Sequence, residues 1–376
     1  MYCGIIRQSE DLFLNASGRK KIVLWGLNEP LVLKAISQYT GIECIIDADS
    51  EKWGLSCGGV KIYPAEHLYA LSPETHVVLY TGKPGAAYSS TRAIQAVDDF
   101  EIYYYNVISD KFFSFFSDQL YDNLDRINNV EKMLADDRSK KVYREVVYRR
   151  LMGATGEFNS LKTRDNPQYI FLPMFKNLSD EVIIDCGGYI GDSVEKFVSA
   201  FGNRVRKIYS FECFEENIQK ISETGERLKS GGWNGELVIA PYAVSDKNGI
   251  VTFNDIGNPE GGYLPENRQT LHYNDKLAPV ETIEVRAKSI DDFIPPEERI
   301  TLIKMDIEGA EFAALTGAER TIKKHRPRLA LSIYHNPADY WRLCELIHQF
   351  CPGYKFAVRH HQSNHLDTVL YAWVEE

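Results

Sequence analysis

The run Val182-Ile183-Ile184-Asp185-Cys186-Gly187-Gly188-Tyr189-Ile190-Gly191, followed directly by Asp192 to Phe197, constrains this chain more than any other stretch. A short apolar run bounded by turn residues predicts a buried parallel strand. The spacing of Val194, Phe197, Val198 and Phe201 predicts one face of a helix. Between the two lies a glycine-rich turn. Glycine lets the backbone pass close to a ligand, and a helix N-terminus offers free N–H groups and the positive end of its dipole. The spacing D-x-G-x-x-x-G departs from the dinucleotide fingerprint G-x-G-x-x-G. Asp185 puts a carboxylate at the end of the first strand, where a cationic or hydroxyl-bearing ligand sits more readily than a pyrophosphate. That favours S-adenosylmethionine; a purely structural strand-to-helix turn is the alternative.

Lys207-Ile208-Tyr209-Ser210-Phe211-Glu212 reads as the next strand, with Glu212 twenty-one positions after Gly191. An acid at that offset in a βαβ unit accepts hydrogen bonds from ribose hydroxyls, the bland alternative being a cap of the next helix. The strand Leu237 to Pro241 runs into Tyr242-Ala243-Val244-Ser245-Asp246, where small groups such as Ala243 receive an adenine. Ile250 to Phe253 is expected to pair with Glu281 to Ala287. The Gly-, Pro- and Asn-rich residues 255 to 280 between them suit a substrate loop.

Ile300 to Met305 is a further buried-type strand ending in Asp306, with a turn through Glu308-Gly309 and a helix opening at Glu311, where the dipole favours an acid. Ligands in open α/β sheets bind at the carboxyl ends of the strands, and Asp185, Glu212 and Asp306 all fall there. The strand Leu329 to Tyr334 ends in His335 and the strand Tyr354 to Arg359 runs into His360-His361. A neutral imidazole accepts a hydroxyl proton near pH 7, and strand-end placement favours His335 for that task over His360.

Ahead of this region, Lys21 to Gly26, Glu43 to Asp47, His76 to Tyr80 and Phe100 to Tyr105 read as strands of a smaller parallel sheet. Residues 1–106 thus resemble the Rossmann-like modules of sugar-nucleotide-modifying proteins. Their phosphate loop is poor, because Gly26-Leu27-Asn28-Glu29-Pro30 has one glycine and an acid. A scaffold or partner-binding role is preferred for this module over substrate capture. Residues 107–180, with Phe112, Phe113, Phe115, Phe116 and Leu120 at helical spacing, read as a helical connector, and 181–376 as the catalytic domain. Tyr169 is expected to pack, with closure over a ligand as the other reading. The basic run Arg138 to Arg150 reads as a solvated helix face beside a buried one.

A net charge of −10 argues against a nucleic-acid partner held by a broad basic surface. No window suits a membrane span and the first residues lack a secretory pattern, so a cytoplasmic protein is expected. Seven cysteines without a C-x-x-C pair argue against a disulfide framework and a structural zinc site. No metal is assigned. An ion on Asp306, Glu308 and His335 is left open; such a set suits manganese better than magnesium.

The motifs D-C-G-G-Y-I-G, F-E-C-F-E-E-N, A-V-S-D-K-N-G and K-M-D-I-E-G-A-E-F, in this order, resemble the FkbM family of S-adenosylmethionine-dependent methyltransferases. The resemblance covers about Glu181 to Tyr371. It implies a class I methyltransferase fold, here a mixed seven-stranded sheet behind a separate, smaller Rossmann-like α/β domain, and O-methylation of a sugar, glycan or natural product. It also implies cofactor contact at Asp185, Gly187, Gly191 and Glu212, with a catalytic neighbourhood at Asp306 and Glu308. The rival readings are a scaffold with a decayed cofactor pocket and a nicotinamide-dependent enzyme acting on sugar nucleotides.

Overall fold

Strands that are apolar along their whole length must be covered on both faces, and parallel neighbours then need crossover connections. The chain meets this requirement twice. The computed structural model describes residues 10–82, 100–108, 111–153, 158–175, 180–255 and 281–375. They fall into two compact units, one of Met1–Leu124 with Glu145–Asn159, the other of Asp125–Arg144 with Ser160–Glu376.

In the first unit, β1 (Lys21–Trp25), β2 (Ile42–Ile46), β3 (Ser56–Cys57), β4 (Val60–Tyr63), β5 (His76–Tyr80) and β6 (Ile102–Tyr104) form one sheet in the order β3-β4-β2-β1-β5-β6. All pairings are parallel except that of β3 with β4. Asp47, just after β2, accepts the N–H groups of Leu27 at 2.7 Å and Asp49 at 2.9 Å. This strand-end acid therefore ties down the loop after β1.

Residues of the expected connector go to both units. The helix Lys111–Asp122 belongs to the first, and the helix Asp137–Leu151 contributes its early residues to the second and its late ones to the first. The basic run on that helix is not wholly solvated. Arg150 is 2% exposed, and its guanidinium lies 3.8 Å from the centre of the Phe116 ring. A planar, weakly hydrated guanidinium tolerates such a face-on burial.

The second unit holds β7 (Glu181–Cys186), β8 (Val205–Phe211), β9 (Glu236–Ala240), β13 (Leu302–Met305), β14 (Arg328–Ser332), β15 (Lys355–His360) and β16 (Thr368–Trp373) in a seven-stranded sheet. Its order is β15-β16-β14-β13-β7-β8-β9, mixed because β16 runs antiparallel to both neighbours. A separate small sheet joins β10 (Ala243–Val244), β11 (Gly249–Asp255) and β12 (Glu281–Lys288), with Ile250 opposite Arg286 and Phe253 opposite Ile283. The loop expected between β11 and β12 lies almost wholly at 256–280, outside the described residues.

From β7 the chain winds outward through β8 and β9, then returns through β13 and β14 on the other side. The winding reverses between β7 and β13, where such sheets open a crevice at their carboxyl ends. The helix Asp192–Phe201 starts at that edge with Gly191 at φ 83° before it, and it buries Val194, Phe197, Val198 and Phe201 as the spacing predicts. Those residues pack with Ile183, Ile208, Trp233 and Tyr371 in one apolar cluster. Among the described residues no helix is long and apolar enough to cross a membrane.

Phe197 is fully buried in this cluster. Phe197→Ala is expected to lower the unfolding free energy by about 3–5 kcal/mol through lost transfer energy and the cavity left behind. A urea titration of the two proteins measures it; an unchanged midpoint contradicts this core.

Candidate active site

The turn after β7 is built on a buried ion pair. Asp185 stands opposite Lys304 of β13, and Lys304 Nζ lies 3.0 Å from Asp185 Oδ1. The same ammonium donates to the carbonyls of Cys186 at 3.1 Å and Gly187 at 2.6 Å. Ser193 and Ser210 donate to Asp185 Oδ2 at 2.7 and 3.3 Å. Burial alone would strip the proton from Lys304, but the Asp185 and Asp306 carboxylates outweigh it and hold the ammonium above its ordinary value. Asp185 is thus closed off from solvent and fixes the turn, where the sequence suggested a carboxylate turned toward a ligand. Gly187 has φ +81°, and a Cβ there would stand 2.0 Å from the Asp306 carbonyl oxygen. The end of β13 therefore lies directly against the turn.

Glu212, just past β8, accepts from the N–H of Tyr189 at 3.0 Å through Oε2, and from Cys213 at 2.8 Å and Phe214 at 3.0 Å through Oε1. Burial raises its carboxyl above the usual range against the pull of these three bonds. A carboxylate has about four acceptor positions, so one remains for a ligand hydroxyl. Gly191 has φ +83°, with no side chain capping the helix that follows. Ala243 lies in β10 opposite Ala287 and packs with Cys213, the neighbour of Glu212, and with Val251 and Val285.

Across the crevice edge from that turn, Asp306, Glu308, Glu311 and His335 come together. β14 ends at Ser332, so His335 sits in the turn before the helix Asp339–Phe350 and does not itself end the strand. His335 is 1% exposed. Its Nδ1 lies 2.8 Å from Glu311 Oε1, which also accepts the N–H of Ile307 at 3.0 Å. Its Nε2 faces Asp306 Oδ1 at 3.4 Å and Glu308 Oε2 at 3.7 Å. Tyr334 donates to Asp306 Oδ1 at 3.2 Å, and Tyr169 donates to Oδ2. Glu308 reaches this position from a backbone at φ 55°, which only the turn geometry sustains.

These neighbours set the charges. Burial would lower the His335 ring, but Glu311, then Glu308 and Asp306, push it up to about 10. In the free protein this histidine is therefore cationic, not the neutral base that the sequence suggested. Burial acts to raise Asp306, yet His335, Lys304 and the Tyr169 hydrogen bond hold it below the ordinary carboxylate range. Burial pushes Glu308 up to about 7, with His335 opposing and Asp306 adding. His360, the weaker candidate, has both ring nitrogens taken, by Thr368 Oγ1 at 2.9 Å and the Asn364 carbonyl at 2.8 Å.

Two members of the site, Lys304 and Tyr334, escape sequence reasoning. Lys304 interrupts an otherwise apolar strand, and a charge in a fully buried run demands a partner; that interruption is its signal. Tyr169 packs as expected, with 4% exposed, yet its hydroxyl also holds Asp306. Tyr334, fixed on the other oxygen, has no signal beyond standing next to His335. Glu311 does more than complement a helix dipole, since it orients the imidazole.

Residues 185–361 match the family model of the Methyltransferase FkbM domain. Among solved structures, methyltransferase FkbM from Methylobacillus flagellatus KT aligns over 98% of this chain and 95% of its own, at 19% identity and a TM-score of 0.60. Precorrin-6y C5,15-methyltransferase from Geobacter metallireducens GS-15 aligns over 58% of this chain and 95% of its own, at 11% identity and a TM-score of 0.31. No curated protein matches the chain in sequence. The mixed seven-stranded sheet shares the fold of that FkbM methyltransferase structure. Residues 185–361 of the chain are thus similar to the FkbM methyltransferase domain.

Removing one partner of the buried pair leaves the other charge uncompensated. Lys304→Met is expected to lower the unfolding free energy by about 3–5 kcal/mol. Adding Asp185→Asn, which takes away the stranded charge, should return most of that loss. Urea unfolding of the single and double variants decides; equal losses would rule out charge compensation.

Proposed function

We propose that this protein transfers the methyl group of S-adenosylmethionine to a hydroxyl of a sugar, glycan or related natural product. The observation that carries the reading is Asp306, a carboxylate clamped by two tyrosine hydroxyls at the winding reversal, directly against the Gly187 turn. The residues present fit the cofactor in kind. Glu212 keeps an acceptor position for a ribose hydroxyl, the glycines at 187 and 191 admit close approach, and Ala243 and its apolar neighbours suit an adenine edge. When bound, S-adenosylmethionine supplies an electrophilic methyl group on a positively charged sulfur.

The rest is the work of the chain. Asp306, with its oxygens fixed by Tyr169 and Tyr334, orients the acceptor hydroxyl, and this proximity supplies much of the rate. Glu308, whose carboxyl burial pushes up to about 7, receives the hydroxyl proton as the oxygen becomes nucleophilic. His335 holds the two carboxylates on one side of the crevice, and Glu311 holds His335. Lys304 and Asp185 keep the turn against β13. The hydroxyl acceptor is supported by the family resemblance and by the look of the first unit, both of them analogies.

Calorimetry with S-adenosylhomocysteine on the full chain tests the cofactor: binding is expected, and binding of NAD instead, or of neither, overturns the reading. Glu212→Ala should weaken that binding about tenfold, the worth of one hydrogen bond to a charged group. Asp306→Asn should lower turnover by about 10²-fold or more while S-adenosylhomocysteine affinity holds. Unchanged turnover removes Asp306 from the mechanism, and lost affinity moves it to the methionine end of the cofactor.

A further inference from the structure

Nε2 of His335 has no hydrogen-bond partner although the ring is almost completely buried. A buried polar atom left in this way costs stability unless something answers it. The atoms it faces are Asp306 Oδ1 at 3.4 Å and Glu308 Oε2 at 3.7 Å. Both distances exceed the usual 2.7–3.2 Å range of an N–H···O bond. They match the spacing of about 3.0–3.7 Å between neighbouring ligands on one ion, given bonds of about 2.0–2.2 Å. Asp306, Glu311 and His335 offer ligand atoms within 4.8 Å of one another; Glu308 lies outside that group and approaches through Oε2, 3.7 Å from Nε2.

The surroundings have the build of a metal site as well. The opposite ring nitrogen, Nδ1, is held by Glu311 Oε1 at 2.8 Å, and that oxygen is itself anchored by the Ile307 N–H. A carboxylate behind a histidine fixes the tautomer and ring direction of a ligating imidazole. Asp306 is steadied by Tyr169 and Tyr334, and its Oδ1 lies 3.4 Å from Nε2. Asp306 and Glu308 are partly exposed while His335 is not, which gives an ion a route from solvent to the far side of the ring.

We propose that His335 Nε2, Asp306 and Glu308 bind one divalent transition cation, with Glu311 as the carboxylate that orients the imidazole. One nitrogen and two carboxylates suit manganese or zinc better than magnesium, which prefers oxygen ligands throughout. Because a ligating imidazole is neutral, binding expels the ring's Nε2 proton. The site shares Asp306 and Glu308 with the proposed catalytic edge and rests on no part of the Glu212 and glycine-turn reading, and it needs no turnover to be seen.

The probe is manganese alone. The full chain, freed of metal with EDTA, is titrated with MnCl2 while electron paramagnetic resonance follows the free-ion signal. One ion per chain is expected. Glu308→Gln, at a partly exposed position where the fold tolerates the change, should weaken binding at least about tenfold, and Glu311→Gln should weaken it by about 10–100-fold. Elemental analysis of the protein as purified gives the ion carried in the cell. A free-ion signal undiminished at millimolar manganese overturns the proposal. So does equal binding by the wild type and Glu308→Gln, which would put the ion elsewhere on the acidic surface. Binding of S-adenosylhomocysteine, measured separately, tells loss of this site from loss of the cofactor reading.

Discussion

The contact between Lys304 and Asp185 is the constraint on which the rest of the second unit turns. It joins β13 to β7 at the winding reversal, and the same ammonium gathers the carbonyls of Cys186 and Gly187. Two buried charges gain little net stability over an apolar pair of the same size, since desolvation offsets most of their attraction. What they supply is direction. An apolar pair would leave the carbonyls at the end of β7 free to point elsewhere, and the glycine turn would lose its fixed entry. With Lys304 in place, the backbone of β13 comes close enough to Gly187 that no side chain fits between. Asp306 is thereby brought to the turn's edge by the main chain, before any side-chain contact is counted.

Around that point the backbone departs from ordinary geometry in several places. Tyr169, Tyr189, Glu308 and Asp367 all have positive φ, between 45° and 68°, where residues with a Cβ are uncommon. Each such conformation costs on the order of 1–3 kcal/mol and persists only where its surroundings enforce it. Two of them belong directly to the cluster. The Tyr169 backbone N–H is held by the Tyr371 hydroxyl at 3.0 Å, while its own hydroxyl reaches Asp306. Glu308 precedes Gly309 at φ 94°, and the turn throws its carboxylate back toward His335. A fifth such residue, Arg326 at φ 48°, lies at the other edge, just before β14, so four of the five gather at the carboxyl edge near Asp306.

Much of this was legible in the residue pattern, and what was not has a common cause. Periodicity locates β7, β8 and β13 and the helix Asp192–Phe201, because burial on one face or on both is written locally in the spacing of Val, Ile, Leu and Phe. The strand-end rule puts Asp185, Glu212 and Asp306 on one edge for the same reason. Which way each carboxylate turns is decided by residues far away in sequence. Asp185 points inward because Lys304 does, 119 positions later, and nothing near Asp185 announces it. His335 lies beside Asp306, but Glu311, from a different element, sits behind its ring and favours the protonated form over the neutral one expected. Tyr169 shows the same limit in reverse. Its burial follows from its neighbours, while its hydroxyl contact with Asp306 spans 137 positions.

The balance of charge at this edge also bears on what can bind there. Asp306, Glu308, Glu311, Asp339 and Asp367 outnumber the cations that face them, and burial raises Glu308, Asp339 and Asp367 above the ordinary carboxylate range. Desolvation is the largest cause in each, and like charge adds to it, from Asp306 at Glu308 and Asp367 and from Glu311 at Asp339. A pyrophosphate entering such a crevice would meet repulsion from the strand-end acids on the β13 side, and the helix N-terminus at Asp192 offers one turn of compensation. A sulfonium, an ammonium or a divalent ion would lower the energy of the same acids. The electrostatics therefore argue in one direction for both proposals: the group most at home beside Asp306 is a cation, and the acceptor that reaches it should present hydroxyls and not phosphate.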